Sequence, residues 1–141
     1  MILAIGIDAV DIYRFKDWHT KPYTSLQRIF SEEEIVYCIQ NMHKSAERFA
    51  LRFAIREATY KIMTVIGPQH SIPFLTLCKA VVIHKDSRGT PHIIIHWEIL
   101  KNYTALYAQQ AHIQWHLSCT HTDTSAIAYI IAETKCQDEP D

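Results

Sequence analysis

The sequence predicts a single α+β domain in which a mainly antiparallel sheet packs against one long helix. Three observations support this fold class: a strand pattern opens the chain, a long helical pattern follows, and two pairs of strand patterns fill the second half. The 141 residues suffice for one domain with a hydrophobic core, and are few for two. We therefore expect one domain over 1–135, followed by an acidic, frayed tail over 136–141.

The first half of the chain carries one strand pattern and two helical patterns. Residues 2–10 (ILAIGIDAV) are apolar at both alternating sets of positions, which predicts a strand buried on both faces. Ser31 followed by Glu34 is a capping-box pattern that begins a helix. A longer helix is expected over 45–65, ended by the Gly-Pro dipeptide at 67–68.

The second half of the chain changes mainly to strand periodicity. Residues 77–97 contain two strand-like runs around DSRGTP, which predicts a hairpin with a loop longer than two residues. The stretch at 98–110 (EILKNYTALYAQQ) has helical spacing. Two more strands are expected at 112–121 and 125–133, with the turn TDT between them.

Composition argues against several classes of protein. Nearly half of the residues are hydrophobic and the net charge is -1, which is unlike a disordered chain or a general nucleic-acid-binding protein. No segment approaches the roughly 20 apolar residues of a membrane span, and the first residues do not resemble a secretion signal. We expect a cytoplasmic protein without membrane contact, whose four scattered cysteines are free thiols.

Basic residues concentrate near the start of the chain although the total charge is close to zero. The stretch 14–28 contains Arg14, Lys16, Lys21 and Arg28 against a single acid. It could face an acidic partner or form an ordinary solvated surface, and charge alone leaves both interpretations open.

Two carboxylates suggest a metal site. Glu57 falls on the apolar line of Phe49 and Phe53, so it must be paired, bind a metal or lie at the rim of a pocket. Asp8 directly follows the apolar part of the first strand, where a turn-forming or helix-capping aspartate is the ordinary alternative. The two carboxylates could share one Mg²⁺ whose other ligands are water and a substrate phosphate.

The long helix also carries a basic ridge. Arg48, Arg52 and Arg56 are spaced four residues apart, a pattern that a solvated helix face also explains. Lys61 lies four residues after Glu57 and could form an ion pair with it.

The histidines and the cysteine within 112–121 do not favour a zinc site. Alternate residues of a strand point to opposite faces, so His112 and His116 are separated from Cys119 and His121. His121, at the end of the strand, is either functional or an ordinary turn residue.

Five stretches, in chain order, resemble the holo-acyl-carrier-protein synthases, the short class of 4'-phosphopantetheinyl transferases. GIDAVDIYRF resembles the opening GIDxVxxxRF of that family, RIFSEEEIVYC its FTxxE-containing helix, and RFALRFAIREATYK its RFAxKEAxxK signature. RGTPHIII resembles its GxP hairpin, and LSCTHTDTSAIAYII its closing SxSHxxxxAxAxV strand pair. The resemblance implies the fold of that family and transfer of 4'-phosphopantetheine from coenzyme A to a serine of apo acyl carrier protein.

Matched residue by residue, the resemblance implies roles for individual side chains. Asp8 and Glu57 are the implied Mg²⁺ ligands, and Glu57, Lys61 and His121 the implied catalytic residues. The serine proton would pass to Glu57 directly or through a metal-bound water. Coenzyme A contacts are implied for four residues: Arg52, Arg56, Lys61 and His121.

The resemblance also implies partners. It predicts a homotrimer with active sites at the subunit interfaces, and an acidic carrier protein that docks on Arg14, Lys21 and Arg28. Arg56 replaces the lysine of the family signature, and a guanidinium cannot donate a proton at neutral pH. This replacement motivates an alternative function, a non-catalytic module of the same fold that binds coenzyme A or the carrier protein.

Overall fold

The computed structural model describes residues 1–67 and 72–135 of the chain. The strands are β1 (Ile2–Asp11), β2 (Val81–Lys85), β3 (Pro91–Ile95), β4 (Ile113–His121) and β5 (Ser125–Thr134). The α-helices are α1 (Tyr23–Leu26), α2 (Glu32–Ile39), α3 (Ser45–Ile66), α4 (Phe74–Ala80) and α5 (Trp97–Leu100). Short 3-10 helices cover Ile12–Phe15, Trp18–Thr20, Met42–Lys44 and Ala105–His112.

The strands form two antiparallel sheets, so the predicted α+β class with antiparallel pairing is confirmed. β1, β5 and β4 form a three-stranded sheet in that order, and β2 and β3 form a separate hairpin. In the larger sheet Asp8 lies opposite Ala128, which lies opposite Cys119 on its other side. The long helix α3 packs across one face of this sheet, mainly against β1 and β5.

Small side chains allow α3 to approach the sheet closely. The face of the sheet under the helix is made largely of buried alanines and one glycine. A Cβ atom on Gly6 would lie 2.3 Å from the carbonyl oxygen of Ala58, so only glycine fits at this crossing. The crossing holds Asp8, two residues further along β1, against the middle of α3.

Aromatic side chains fill the core beside the N-terminal half of α3. Phe15, Trp18, Phe30, Phe49 and Phe53 pack with ring centroids 4.5 to 6.2 Å apart. The apolar stripe of the helix therefore anchors the chain segment that follows β1.

Several local predictions are confirmed. The capping box forms, since Ser31 Oγ accepts from the Glu34 amide and Glu34 Oε2 accepts from the Ser31 amide. α3 ends at Ile66, one residue beyond the expected boundary, and the predicted Gly67 is its C-cap. The turn between β2 and β3 contains Gly89 with φ of 81°, a left-handed conformation that suits glycine. Pro68 and the predicted tail at 136–141 lie outside the described residues.

Three predictions about the elements are wrong. β1 is buried on one face only: Ile5 and Ile7 are 52% and 56% exposed, because no other described part of this chain covers the outer face of the sheet. Residues 77–80 end helix α4 instead of beginning a strand. The Leu77 N–H donates to the Pro73 carbonyl oxygen, and the Val81 N–H donates to the Leu77 carbonyl oxygen. The stretch 98–110 is not one helix, because Thr104 caps a separate 3-10 helix with its hydroxyl.

Among the described helices, none combines the length and the apolar character that crossing a bilayer requires.

Candidate functional site

Strand β1 and helix α3 bring two predicted site residues into direct contact. Lys61 Nζ donates to Asp8 Oδ1 at 2.8 Å and to the Ile7 carbonyl oxygen at 2.9 Å. Glu57 lies one helical turn before Lys61 on the same side of α3. We call Asp8, Glu57 and Lys61 the carboxylate site. The structure therefore brings together the three residues that the sequence places on a strand and a helix.

The protonation of Glu57 reflects its surroundings. Partial burial raises the pKa of the Glu57 carboxyl and the nearby Asp8 carboxylate raises it further, while Lys61 and Arg14 oppose both effects only in part. Within the described residues the Glu57 carboxylate has no hydrogen-bond or ion-pair partner. The site holds two acids in close proximity, and additional positive charge would stabilise their ionised forms.

The donor set of the carboxylate site fits Mg²⁺. This ion binds carboxylate oxygens and commonly takes only one or two from the protein, with waters and substrate phosphates as the remaining ligands. Across 1–67 and 72–135 no cluster of three or more acidic, histidine or cysteine side chains is placed to hold a metal. Asp8 and Glu57 are the two carboxylates that would hold such an ion, which leaves its remaining ligands to water and substrate.

The predicted partner-binding residues lie on the exposed segment that follows β1. Arg14 Cζ is 4.9 Å from the ring centroid of Phe53, and its charge reaches Glu57. Lys21 Nζ lies 5.2 Å from the ring centroid of Trp18, and Arg28 follows α1. A groove of about 540 Å³ beside Arg14 runs between this segment and the β4–β5 turn.

Arg56 occupies the core and contradicts the expectation that it contacts coenzyme A. Its side chain is fully buried and forms two hydrogen bonds to Glu34, at 2.8 and 2.7 Å. It also donates to the carbonyl oxygens of Cys78 and Val81, at 3.1 and 2.7 Å. The helix-capping Glu34 is therefore also a buried ion-pair partner, a second role that its local sequence pattern does not reveal.

A group of cations that no single stretch of the sequence contains surrounds Tyr37. Arg48 Cζ, Arg52 Cζ and Lys85 Nζ lie 3.8, 4.5 and 4.4 Å from its ring centroid, and Lys85 donates to its hydroxyl at 2.6 Å. Burial alone would raise the pKa of Tyr37, but the hydrogen bond from Lys85 and the three positive charges outweigh it and lower the pKa. We call Arg48, Arg52, Lys85 and Tyr37 the basic cluster.

Arg52 is the most enclosed member of the basic cluster. It is 6% exposed, and its Nε has no hydrogen-bond partner within the described residues, since Glu34 Oε1 is 3.9 Å away. A cavity of about 240 Å³ opens beside Arg52, Tyr37 and Lys85. The predicted phosphate contact of Arg52 therefore has an unsatisfied donor and space for a ligand.

The basic cluster and the carboxylate site lie on different sides of α3. Arg52 precedes Glu57 by five residues, which places the two side chains about 140° apart around the helix axis. Burial raises the pKa of the Cys119 thiol, and the charges of Arg52 and Lys85 partly oppose this, which places the basic cluster near β4.

His121 also lies away from the carboxylate site. Its Nε2 is 3.1 Å from Glu47 Oε2, and Glu47 precedes Glu57 by ten residues, about 15 Å along the helix. The alternation of β4 is as predicted: His116 and Ser118 face outward, and Cys119 faces α3. Within one chain, His121 and Arg52 therefore do not meet Asp8, Glu57 and Lys61.

Comparison with known proteins identifies the class to which this fold and site belong. Residues 4–131 match the family model described as the 4'-phosphopantetheinyl transferase superfamily. The holo-[acyl-carrier-protein] synthase of Geotalea daltonii is 32% identical over 134 residues, covering 94% of this chain and 99% of that protein. That of Clostridium kluyveri is 34% identical, covering 94% and 91%.

A solved structure agrees with the sequence relatives. Helicobacter pylori holo-[acyl-carrier-protein] synthase in complex with coenzyme A aligns with a TM-score of 0.65 at 28% identity, covering 92% of this chain and all of that one. The chain belongs to the 4'-phosphopantetheinyl transferase superfamily and, within it, to the holo-[acyl-carrier-protein] synthase family. The family predicted from the five sequence motifs is confirmed.

Proposed function

We propose that the protein transfers the 4'-phosphopantetheine group of coenzyme A to a serine of an apo acyl carrier protein, leaving adenosine 3',5'-bisphosphate. The observation that carries the proposal is the contact between β1 and α3 that brings Asp8, Glu57 and Lys61 together in a chain of this family. The relative from Helicobacter pylori binds coenzyme A, which supports the choice of substrate.

The proposed reaction forms one bond and breaks one. The serine oxygen attacks the phosphorus that carries pantetheine, and the bond from that phosphorus to the oxygen of adenosine bisphosphate breaks. Mg²⁺ held by Asp8 and Glu57 would neutralise charge on the pyrophosphate. Lys61 adds a positive charge to the same oxygens, and the serine proton passes to Glu57 or to a water beside it.

The non-catalytic alternative loses the feature that motivated it. Arg56 is enclosed by Glu34 and two backbone carbonyls, so its inability to donate a proton has no bearing on the chemistry. We therefore favour the enzyme over a binding module.

A mass measurement tests the proposed transfer. Incubation of the protein with coenzyme A, Mg²⁺ and an acidic apo carrier protein should increase the carrier mass by one 4'-phosphopantetheine group. Binding of coenzyme A by calorimetry without any mass gain on a panel of carriers would instead support the binding module.

The same assay tests the proposed carrier dock on Arg14, Lys21 and Arg28. Arg28→Glu should raise the KM for the carrier severalfold, because it places an acid against an acidic partner, and should leave the KM for coenzyme A unchanged. Arg88→Glu on the exposed β2–β3 loop is the matched control. An unchanged carrier KM in Arg28→Glu would contradict the dock.

We also propose that the protein assembles as a homotrimer with active sites at the interfaces. Two observations support an interfacial site: His121 and the basic cluster lie away from the carboxylate site of the same chain, and the outer sheet face carries exposed Ile5, Ile7 and Tyr129. A second copy could bring its His121 and Arg52 to the carboxylate site of the first. Exposed apolar patches of this kind commonly mark interfaces.

Tyr129→Glu is expected to convert the trimer to monomers and to abolish transfer. The change places a carboxylate in the middle of the outer sheet face, where burial without a partner is costly. Light scattering coupled to size exclusion measures the mass. Leu75→Glu, a change at an equally exposed apolar residue on α4, should remain trimeric. A fully active wild-type monomer would contradict the interfacial site.

We propose a cytoplasmic location. In support, Cys38 and Cys78 are buried free thiols, and Cys119 is also free, as expected in a reducing compartment.

A further inference from the structure

Lys61 contacts the carboxylate of Asp8, which is also a ligand proposed for the cation. Its Nζ lies 2.8 Å from Asp8 Oδ1, and the carbonyl oxygen of Ile7 accepts a second hydrogen bond at 2.9 Å. An ammonium group and a divalent cation cannot both occupy the position beside that oxygen. Lys61 and the cation therefore compete for Asp8 Oδ1, and the positive charge of Lys61 also opposes a cation bound at Oδ2.

The charges of the site favour a cation more strongly when an anion accompanies it. The negative charges of Asp8 and Glu57 are opposed by the positive charges of Lys61 and Arg14. A divalent cation alone would leave an excess of positive charge, which nearby cations disfavour. The pyrophosphate of coenzyme A supplies the missing negative charge.

The exchange requires movement of one flexible side chain. Asp8 is fixed by the pairing of β1 with β5, and its side chain is 14% exposed. The Lys61 side chain is 54% exposed and has a long flexible stem, so its ammonium can leave Asp8 without opening the core. A phosphate oxygen beside Asp8 is a favourable new partner for it.

We propose that Lys61 makes the binding of the divalent cation and of coenzyme A mutually dependent. In the protein alone Lys61 competes with the cation for Asp8, and the arrival of the pyrophosphate draws Lys61 away and releases that oxygen. Each ligand then strengthens the other by the same factor, as linkage requires. This role rests on the metal assignment of the proposed function and adds to it a coupling between the two ligands.

Calorimetric titration with Mn²⁺, a spectroscopically convenient analogue of Mg²⁺, tests the coupling. Wild type, Lys61→Met and Lys101→Met are each titrated with and without saturating coenzyme A. Lys101 is a matched control, because it is similarly exposed and also forms an ion pair, with Glu98, away from Asp8. Circular dichroism verifies that the variants are folded.

Lys61→Met is expected to bind Mn²⁺ about tenfold more tightly than wild type without coenzyme A, since one nearby positive charge is removed. The strengthening of Mn²⁺ binding by coenzyme A should be correspondingly smaller in this variant. Lys101→Met should match wild type in both measurements.

The outcomes separate this role from the proposed function. Equal Mn²⁺ affinity in Lys61→Met and wild type, with transfer intact in wild type, overturns the coupling and leaves the transferase assignment standing. Absence of Mn²⁺ binding to wild type even with coenzyme A overturns the metal assignment and the coupling together.

Discussion

Glu57→Ala and Asp8→Ala are each expected to lower the rate of phosphopantetheine transfer by about a thousandfold or more. Each change removes one of the two carboxylates that would hold Mg²⁺ on the pyrophosphate. The rate is measured as carrier mass gain over time, and thermal unfolding should show a folded protein, because neither carboxylate supports the core. Glu32→Gln, which alters an exposed acid on α2, is the control and should retain wild-type rates.

The raised pKa of Glu57 adds a pH dependence to this expectation. A protonated carboxyl is a poor metal ligand, so Mg²⁺ binding by the wild type should weaken as the pH falls towards a pKa above the ordinary 4.5 of glutamate. Transfer rates near wild type in either alanine variant would refute the metal assignment.

Arg56→Met is expected to destabilise the protein by about 3 to 5 kcal/mol, because it leaves Glu34 charged and unpaired in the core. It also removes the donors to the carbonyl oxygens of Cys78 and Val81. Urea unfolding at fixed protein concentration measures the loss. The double variant Glu34→Leu/Arg56→Met should recover part of it, since no buried charge then remains.

The pH dependence of unfolding provides a second readout of this ion pair. Burial alone would raise the pKa of Glu34, but the charge and hydrogen bonds of Arg56 outweigh burial and lower it. A lowered folded pKa means that the contribution to stability is complete above the ordinary glutamate pKa of 4.5 and is lost as the pH falls through the lower folded value. An Arg56→Met variant as stable as wild type would show that the pair is unimportant.

Local patterns in the sequence were sufficient for much of the fold. The 3.6-residue repeat of α3, the capping box at Ser31 and the alternation of β4 each depend on neighbouring residues, and each is present as predicted. The proximity of Asp8 and Glu57 was reached from the residue types and the family motifs, whereas Lys61, which the helical spacing pairs with Glu57, forms its ion pair with Asp8 instead. The helical and strand periodicities alone did not determine which side of α3 faces β1.

The remaining features depend on residues distant in the chain. Arg56 and Glu34 are 22 residues apart, and the capping pattern already explains Glu34 without a partner. Tyr37 and Lys85 meet across 48 residues, so no short window contains the basic cluster. The sequence predicts burial of the outer face of β1 because an apolar strand has the same residue pattern whether that face is covered by its own chain or by another copy.

Gly6 has a consequence for the reaction that its position in the core does not suggest. Its missing side chain sets the interlayer spacing between sheet and helix, and that spacing sets the separation of the Asp8 and Glu57 carboxylates. A divalent ion held by Asp8 and Glu57 would therefore depend on backbone contact at Ala58, and not only on the residues that would bind it. Selection for ligand separation would act on a residue that touches neither substrate nor metal.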